Sequence, residues 1–342
     1  MKRVLILIQL LALTLYNCGV SPKSTSASDL NSINDSLVIK FANTITAFEL
    51  KEALYAYASD EFEGRRTGQP GQKKAVEYLK NFYVSQGISA LLDDNDYFQE
   101  VPKTYLGKGL EDSENVLAYI EGSEKPNEFI VISAHLDHEG IKNGDIYNGA
   151  DDDGSGTVSI LEIAEAFKKA VNDGYRPKRS ILFLHVTAEE EGLLGSQYFT
   201  DVDPVVPLKN IVANLNIDMI GRRDIKHNED GNYIYLIGSN KLSAELHQLS
   251  EDINTKYVGL ELDYTYNSVS DPNRYFYRSD HYNFAKHNIP VIFYFSGNHA
   301  DYHKPTDTPE KIEYDLLEKR TKLIFYTAWE LATRENRITI GL

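Results

Sequence analysis

Cysteine is almost absent from this sequence, since the 342 residues contain only one, Cys18. A single cysteine excludes an intrachain disulfide, and the 42% of apolar residues must supply the core. Basic residues are also few, because 35 lysines and arginines face 51 aspartates and glutamates and leave a formal net charge of −16. This charge argues against a nucleic-acid partner, because phosphates would be repelled. Its simplest interpretation is a solvated acidic surface.

Long apolar runs are missing as well, apart from one at the N-terminus. Lys2 and Arg3 precede a mostly apolar stretch, residues 4–16, that is too short to span a bilayer as a mature segment. This arrangement is typical of a secretory signal. We therefore predict that residues 1–17 are a signal peptide and that the protein is exported.

The position of Cys18 leaves two alternatives for the fate of the exported protein. The segment Leu15-Tyr16-Asn17-Cys18 resembles a bacterial lipoprotein box, although Asn17 departs from the small residue that is usual there. Lipidation of Cys18 would attach the protein to a membrane, as an outer-membrane lipoprotein. Ordinary cleavage nearby would give a periplasmic or secreted protein. Residues 18–40, rich in Ser, Asn and Asp, are predicted to be a flexible tether.

Amphipathic and apolar segments alternate along the rest of the chain. We expect helices over 45–58, 72–86, 156–171, 193–199, 240–257, 279–287 and 313–333, and strands over 115–121, 129–135, 180–187, 211–218, 233–237 and 290–296. Strands separated by helices predict an α/β fold with a mostly parallel central sheet and helices on both faces. No internal repeat is visible, so we predict a single domain over residues 41–342.

One stretch, residues 129–157, concentrates the polar chemistry. A continuous apolar run, 129–133, predicts a strand buried on both faces, and it leads into His135-Leu136-Asp137-His138. A glycine-rich loop then reaches Asp151-Asp152-Asp153, and Gly154-Ser155-Gly156 opens an amphipathic helix. Three adjacent carboxylates repel one another, and a helix N-terminus relieves part of this repulsion. A bound cation would relieve it further.

Similar polar clusters come after other predicted strands. They are Glu189-Glu190-Glu191 after 180–187, Asp218 at the end of 211–218, and the segment 299–308 after the last strand. An isolated glutamate run is usually a solvated surface. Because each cluster comes after a buried strand, however, we expect the imidazoles and carboxylates to meet at one edge of the sheet. Two histidines and three carboxylates carry −3, which two Zn²⁺ ions and a bridging hydroxide would balance.

The motifs HLD, GADDDGSG, AEEEGLLGS, NIDMIG and YHKPTDT resemble, in this order, those of the M28 family of zinc aminopeptidases. The resemblance covers about residues 45–335 and includes the early loop FEGRRTGQPG and the segment SDHYNF. It implies the zinc-exopeptidase, phosphorylase/hydrolase-like fold and two zinc ions as cofactor. By matching positions, His135 and Asp218 would hold one zinc, Glu190 and His303 the other, and Asp152 would bridge them.

The resemblance also implies the remaining roles. Glu189 would be the general base, Asp137 would hydrogen-bond and orient His135, and Tyr302 would help to stabilise the tetrahedral intermediate. A cis peptide bond is expected between Asp152 and Asp153. Glu191 departs from the family pattern, in which an apolar residue is common. Together these roles imply a hydrolase that removes N-terminal residues from peptides with a free N-terminus.

Other functions fit parts of the sequence less well. Residues 151–162 also fit the spacing of a calcium loop, but 139–150 cannot form the preceding helix that such a loop needs. A glutaminyl cyclase-like aminoacyltransferase with a single zinc remains an alternative, although that branch replaces Asp153 and the glycines after it. A non-catalytic zinc- or peptide-binding lipoprotein is the third hypothesis, but no ligand or base is missing. The aromatic segment 264–277 is predicted to be a loop, and either a wall of the substrate pocket or ordinary surface packing explains its composition.

Overall fold

A computed structural model describes the backbone of residues 27–341 and the side chains of residues 35–341. The chain divides into two units, residues 1–37 and 38–342. Residues 27–42 form a helix, where the sequence predicted a flexible tether up to residue 40. Val38, Phe41 and Ala42 are buried, and this burial stabilises the C-terminal turn of the helix. The predicted signal peptide and Cys18 lie outside the described residues.

The helices of the second unit match the predicted helical segments, except that the short helix at Lys103–Leu106 was not predicted. Including the helix that enters this unit, they are α1 (Ala27–Ala42), α2 (Ala47–Tyr57), α3 (Pro70–Gln86), α4 (Lys103–Leu106), α5 (Gly156–Asn172), α6 (Leu194–Gln197), α7 (Ala244–Ile253), α8 (His281–Ala285) and α9 (Tyr314–Thr333). The predicted helix 240–257 is shorter as an α-helix, because Ser243 caps α7 by accepting the backbone N–H of Leu246.

Eleven strands are present in the part of the chain that the structure describes. They are β1 (Ser89–Ala90), β2 (Phe98–Val101), β3 (Ser113–Ile120), β4 (Lys125–His135), β5 (Gly140–Lys142), β6 (Asp145–Tyr147), β7 (Arg179–Val186), β8 (Ile211–Ile217), β9 (Tyr233–Ile237), β10 (Glu261–Asp263) and β11 (Val291–Phe295). The strands β1, β2, β5, β6 and β10 have two to four residues and were not predicted.

The central sheet has the order β1-β3-β7-β4-β8-β11-β9-β10, with β2 also paired to β3. Strands β7, β4, β8 and β11 are parallel neighbours, whereas β3 and β9 join them in antiparallel orientation. Val131, Leu182 and Leu184 pack with Phe284 of α8, and side chains alternate along a strand, so Ile130 and Ile132 face the opposite side. The predicted α/β fold with a mostly parallel sheet is confirmed.

The four parallel strands end at the same edge of the sheet. Each of their buried runs leads directly into one of the polar clusters found in the sequence. Parallel strands buried on both faces place ligand sites outside their carboxyl ends, since the faces are covered by helices. The sheet therefore brings together segments that are up to 168 residues apart, such as 135 and 303.

Helix α5, which packs on β4, contains a buried glutamate, Glu162. Burial raises the pKa of Glu162 to about 8, and the charges of Glu49 and Glu165 add to this effect while Lys169 opposes it. When the pKa of a carboxyl group is higher in the folded state than in the unfolded state, the group contributes to stability. This contribution is complete at pH values below the pKa of the unfolded state. This stabilisation is lost as the pH rises through the folded pKa.

We therefore expect Glu162→Gln to stabilise the protein more at alkaline than at acidic pH. The gain in unfolding free energy should grow by on the order of 2–4 kcal/mol between about pH 5 and pH 8.5. Urea unfolding at several pH values measures it. Glu165→Gln is the control, because Glu165 pairs with Lys169 at 2.7 Å on the same helix and should show a much smaller pH dependence. A gain for Glu162→Gln that does not vary with pH would contradict the prediction.

Candidate metal centre

The carboxyl ends of β4 and β8 bring His135 and Asp218 together. His135 is the last residue of β4, and Asp218 comes directly after β8. His135 Nε2 lies 3.2 Å from Asp152 Oδ1 and 3.7 Å from Asp218 Oδ1. Burial opposes a charge on the His135 ring, but the carboxylates around it, beginning with Glu189, raise its pKa well above the ordinary value. We call His135, Asp152 and Asp218 the first ligand group.

Glu190 and His303 form a second ligand group with Asp152. His303 Nε2 lies 3.1 Å from Asp152 Oδ2 and 3.2 Å from Glu190 Oε2. Burial opposes a charge on the His303 ring, yet the carboxylates of Asp152 and Glu190 raise its pKa to about 10. Asp152 therefore presents Oδ1 to the first group and Oδ2 to the second. All five ligands predicted from the sequence are brought together.

The two aspartates that flank Asp152 hold backbone groups. Asp153 Oδ1 accepts the N–H groups of Gly156 and Met219 at 2.9 and 3.1 Å, and Asp151 Oδ1 accepts the N–H of Gly221 at 2.6 Å. These bonds tie the aspartate turn to the start of α5 and to the segment after β8. The three consecutive carboxylates thus have separate partners, which explains how they are tolerated side by side.

A carboxylate from the segment 299–308 fixes the turn from the other side. Asp307 Oδ2 accepts the backbone N–H groups of Asp151 and Asp152 at 3.0 and 3.2 Å. The peptide bond between Asp152 and Asp153 is cis, as predicted. The segment that carries His303 therefore also holds the backbone of Asp152. This contact positions Asp152 and His303 relative to each other in the second ligand group.

The donor atoms fit zinc. Ligands about 2.0–2.2 Å from a tetrahedral zinc ion lie about 3.3–3.6 Å from one another, and the spacings within the two groups are 3.1 to 3.7 Å. Buried atoms without a hydrogen-bond partner also concentrate here. Among the described residues they include His135 Nε2, Asp152 Oδ2 and Glu190 Oε1. Buried polar atoms without a partner are costly, and a cation would satisfy them.

Glu189 lies beside the ligands without belonging to either group. Its side chain lines the same pocket as Asp152 and Asp218. Burial raises the pKa of the Glu189 carboxyl well above the ordinary value, and the nearby charges of Glu190 and Asp218 add to the effect while His135 opposes it. A carboxyl group with a raised pKa is suited to accept and return a proton.

The expected hydrogen bond between the Asp137 carboxylate and His135 is not present. The nearest carboxylate oxygen is 3.9 Å from His135 Nδ1, which lies instead 3.1 Å from the backbone carbonyl of Asp137. The carboxylate has other partners, because Asp137 Oδ2 accepts the Thr67 hydroxyl at 2.9 Å and Oδ1 accepts the Glu189 N–H at 3.2 Å. Asp137 therefore orients the backbone of Glu189 as well as the ring of His135.

Tyr302 lines the pocket together with Glu189 and Asp152. Its ring stacks on His303 with the centroids 3.9 Å apart. Burial raises the pKa of the Tyr302 hydroxyl, and the surrounding carboxylates add to this, so the group keeps its proton and remains a hydrogen-bond donor. From the aromatic segment 264–277, Tyr275 lines this pocket. The segment was predicted to be a loop, and the structure shows turns with two short 3-10 helices, Thr265–Asn267 and Tyr275–Tyr277.

Two residues beside the second ligand group were not predicted from the sequence. His138 Nδ1 lies 2.8 Å from Glu190 Oε1 and 3.7 Å from Asp152 Oδ2, and the ring is fully buried. Glu139 Oε1 lies 3.2 Å from His303 Nδ1, on the ring edge opposite the candidate ligand atom. A second His and an acidic residue directly after HLD were the only signal, and nothing in the sequence distinguished them from surface residues.

We expect His138→Ala to weaken metal binding at the second ligand group. His138 Nδ1 lies close to both Glu190 and Asp152, so its removal changes the surroundings of two candidate ligands, and the loss of a residue that supports ligands typically costs about 10–100-fold in metal affinity. Zinc affinity measured by chelator competition tests this. His287→Ala is the control, since His287 pairs with Asp201 on the surface at 2.6 Å. An unchanged affinity in His138→Ala would show that His138 only fills space.

A buried arginine connects the early loop to this site. Arg65 Nε donates to the carbonyl of Leu136 at 3.0 Å, and its terminal nitrogens donate to the carbonyls of Asn148 and Gly149 at 2.7 and 2.9 Å. The Tyr57 hydroxyl donates to the carbonyl of Leu136 as well, at 3.0 Å. The loop after β4 and the loop before the aspartate turn are thus held by one guanidinium.

Comparison with known proteins agrees with these observations. Residues 115–328 match the model of peptidase family M28. Leupeptin-inactivating enzyme 1 of Streptomyces exfoliatus is 28% identical over 258 residues, which are 75% of this chain and 50% of that protein. The chain therefore spans about half the length of this curated relative.

Solved structures share the fold. The LapA aminopeptidase of Legionella pneumophila superimposes with a TM-score of 0.68 at 22% identity, over 88% of this chain and 76% of its own. The glutaminyl cyclase of Bacteroides thetaiotaomicron gives a TM-score of 0.63 at 16% identity, over 83% of this chain and 98% of its own. Since the family model covers well over half of the sequence and its motifs form one site, the chain belongs to peptidase family M28.

Proposed function

We propose that this protein is a zinc-dependent exopeptidase that removes N-terminal residues from peptides, with two zinc ions in the active site. One observation carries the proposal: the two oxygens of Asp152 face two different imidazoles, Oδ1 towards His135 at 3.2 Å and Oδ2 towards His303 at 3.1 Å. A carboxylate between two sets of nitrogen and oxygen ligands is the arrangement of a bridging ligand. The first group would hold one zinc ion and the second group the other.

The residues around this centre account for hydrolysis. Zinc bound there would act as a Lewis acid and acidify a water molecule. Glu189 accepts the proton of the attacking water and passes it to the leaving amine, a role that suits its raised pKa. The hydroxyl of Tyr302 donates a hydrogen bond to the developing oxyanion. The resemblance to family M28 implies that the free N-terminus of the substrate binds beside this centre.

The cyclase alternative has less support. A single-zinc enzyme would need only one ligand group, yet two groups of candidate ligands meet at Asp152. Asp153, which that branch replaces, accepts three backbone N–H groups in this site. The similarity to the glutaminyl cyclase of Bacteroides thetaiotaomicron extends to the fold and does not favour its reaction.

Zinc quantification combined with a substrate scan tests the proposal. The purified protein is assayed for zinc content and then incubated with aminoacyl-nitroanilides and with a peptide that begins with glutamine. Two zinc ions per chain and release of nitroaniline are the expected results. One zinc with cyclisation of the glutamine peptide would favour the cyclase, and zinc without either reaction would favour a binding protein.

We also propose that the protein is exported and that Cys18 is lipidated, which would place it in a membrane as a lipoprotein. The apolar start and the solitary cysteine support this. In the part of the chain that the structure describes, no helix is long and apolar enough to cross a bilayer. Metabolic labelling with palmitate should mark the wild type and not Cys18→Ser. Equal labelling of both proteins would overturn the proposal and favour a periplasmic or secreted enzyme.

A further inference from the structure

The pocket next to the two ligand groups has walls of two kinds. Apart from the candidate ligands and Glu189, most of its lining is apolar or aromatic, contributed by Met219, Tyr275, Phe293, Phe295 and Tyr302. The remaining lining residues, Arg278 and Asn298, are exposed and carry hydrogen-bond donors. A cation among carboxylates and aromatic rings is an unusual feature of this pocket.

Within residues 35–341, whose side chains the structure describes, the guanidinium of Arg278 has no polar partner. Its contact is with the ring of Tyr275, whose centroid is 5.1 Å away. Other arginines near the site are paired: Arg222 binds Asp301 at 3.2 Å, and Arg66 binds Glu191 at 3.3 Å. All five N–H donors of Arg278 are therefore available to a ligand.

The charge of Arg278 is not required by the metal centre. With zinc in both ligand groups, the three ligand carboxylates are already neutralised by +4. A further cation at the pocket then attracts an anion from outside the protein. The planar guanidinium matches a carboxylate in two parallel hydrogen bonds, and the aromatic face of Tyr275 limits its movement.

Resting on the exopeptidase function proposed above, we propose that Arg278 binds a carboxylate of the substrate. The preferred substrates are then peptides in which a carboxylate lies close to the scissile bond. Two sources have this chemistry: the side chain of an N-terminal aspartate or glutamate, and the C-terminal carboxylate of a dipeptide or tripeptide. Arg278 would determine specificity and would take no part in the proton transfers.

Matched substrates distinguish the two sources. In the first arm, glutamyl- and aspartyl-nitroanilides are compared with glutaminyl- and asparaginyl-nitroanilides. In the second arm, dipeptides and tripeptides with a free C-terminus are compared with their C-terminal amides. Each pair is measured with the zinc-loaded wild type, Arg278→Ala, Arg278→Lys and Arg274→Ala. Arg274 is the matched control, because it is an exposed arginine four residues away that stacks on Tyr277 and does not line this pocket.

In one of the two arms, the wild type should prefer the carboxylate substrate by about 10- to 100-fold in kcat/KM, mainly through KM, as expected for hydrogen bonds between charged groups. Arg278→Ala should lose this preference, Arg278→Lys should keep part of it, and Arg274→Ala should retain it in full. The arm in which the preference appears identifies the source of the carboxylate.

The inference fails if the wild type shows no preference in either arm, or if the preference persists in Arg278→Ala. A binding measurement separates this failure from failure of the exopeptidase function. Calorimetric titration of the same free acids and amides into the zinc-loaded protein needs no turnover. Binding of the free acid that depends on Arg278, without hydrolysis of any substrate, would support the carboxylate site and overturn only the exopeptidase function. Equal binding of acid and amide would overturn the carboxylate site.

Discussion

Replacing Glu189 with glutamine should reduce turnover by about 10²–10⁴-fold, the usual contribution of general acid–base catalysis, while zinc stays bound. Glutamine preserves the size and polarity of the side chain but cannot accept the proton of the attacking water. Glu189 lines the pocket and belongs to neither ligand group, so the candidate metal ligands should be unaffected. Steady-state kinetics and zinc quantification on the same preparation measure both quantities.

The neighbouring Glu190 provides the control. Glu190→Gln removes a charged ligand from the second group, so it should lose or weaken one zinc ion, and excess zinc should restore part of the activity. If Glu189→Gln lost metal and Glu190→Gln kept it, the two roles would be exchanged. Full activity in both variants would mean that the cluster after β7 is only a solvated acidic turn.

Replacing Asp152 with alanine should have an even broader effect, because this residue serves both ligand groups. We expect the variant to lose both zinc ions, or to bind them far more weakly, and to be inactive. Removal of a residue that only orients a metal ligand costs about 10–100-fold in metal affinity. The loss in Asp152→Ala should be larger. Zinc content after dialysis against a metal buffer measures it, and circular dichroism shows whether the fold is retained.

His303→Ala is the matched comparison, since His303 belongs to the second group alone. This variant should lose one zinc ion and keep the other. An Asp152→Ala protein that retained one zinc at wild-type affinity would contradict a bridging role. A His303→Ala protein that lost both would show that the two sites do not fill independently.

The fold could be predicted largely from hydrophobic patterns, because its central strands are buried on both faces and are mostly apolar. The edge of the sheet could not, since β1, β2 and β10 have only two to four residues and alternate too little to be recognised. The extension of the first helix into the expected tether was missed for a related reason. It depends on the burial of Val38 and Phe41, and the ring of Phe41 stacks on Trp329, far away in the chain.

The five candidate ligands could be predicted from their positions after strands and from the resemblance to family M28. The partners that orient them could not, because such contacts depend on side-chain direction. The Asp137 carboxylate bonds Thr67 and the Glu189 backbone, which no spacing rule indicates. His138 and Glu139 lie beside Glu190 and His303 because the chain leaves the sheet after His135, at the edge where the other clusters also lie.

The hydrogen bonds of Arg65 determine how short a fragment of this protein can be while it still keeps the candidate site in place. The family match starts at residue 115, yet Arg65 precedes it by 50 positions and donates to carbonyls in the loop after His135 and in the loop before Asp152, two of the five candidate ligands. A fragment that began at the match would leave these carbonyls without their donor and the loops without a common anchor. Tyr57 of α2 donates to the carbonyl of Leu136 as well. The smallest transferable unit must therefore include α2 and the turn after it, so a graft of the catalytic region into another protein would have to start before residue 47.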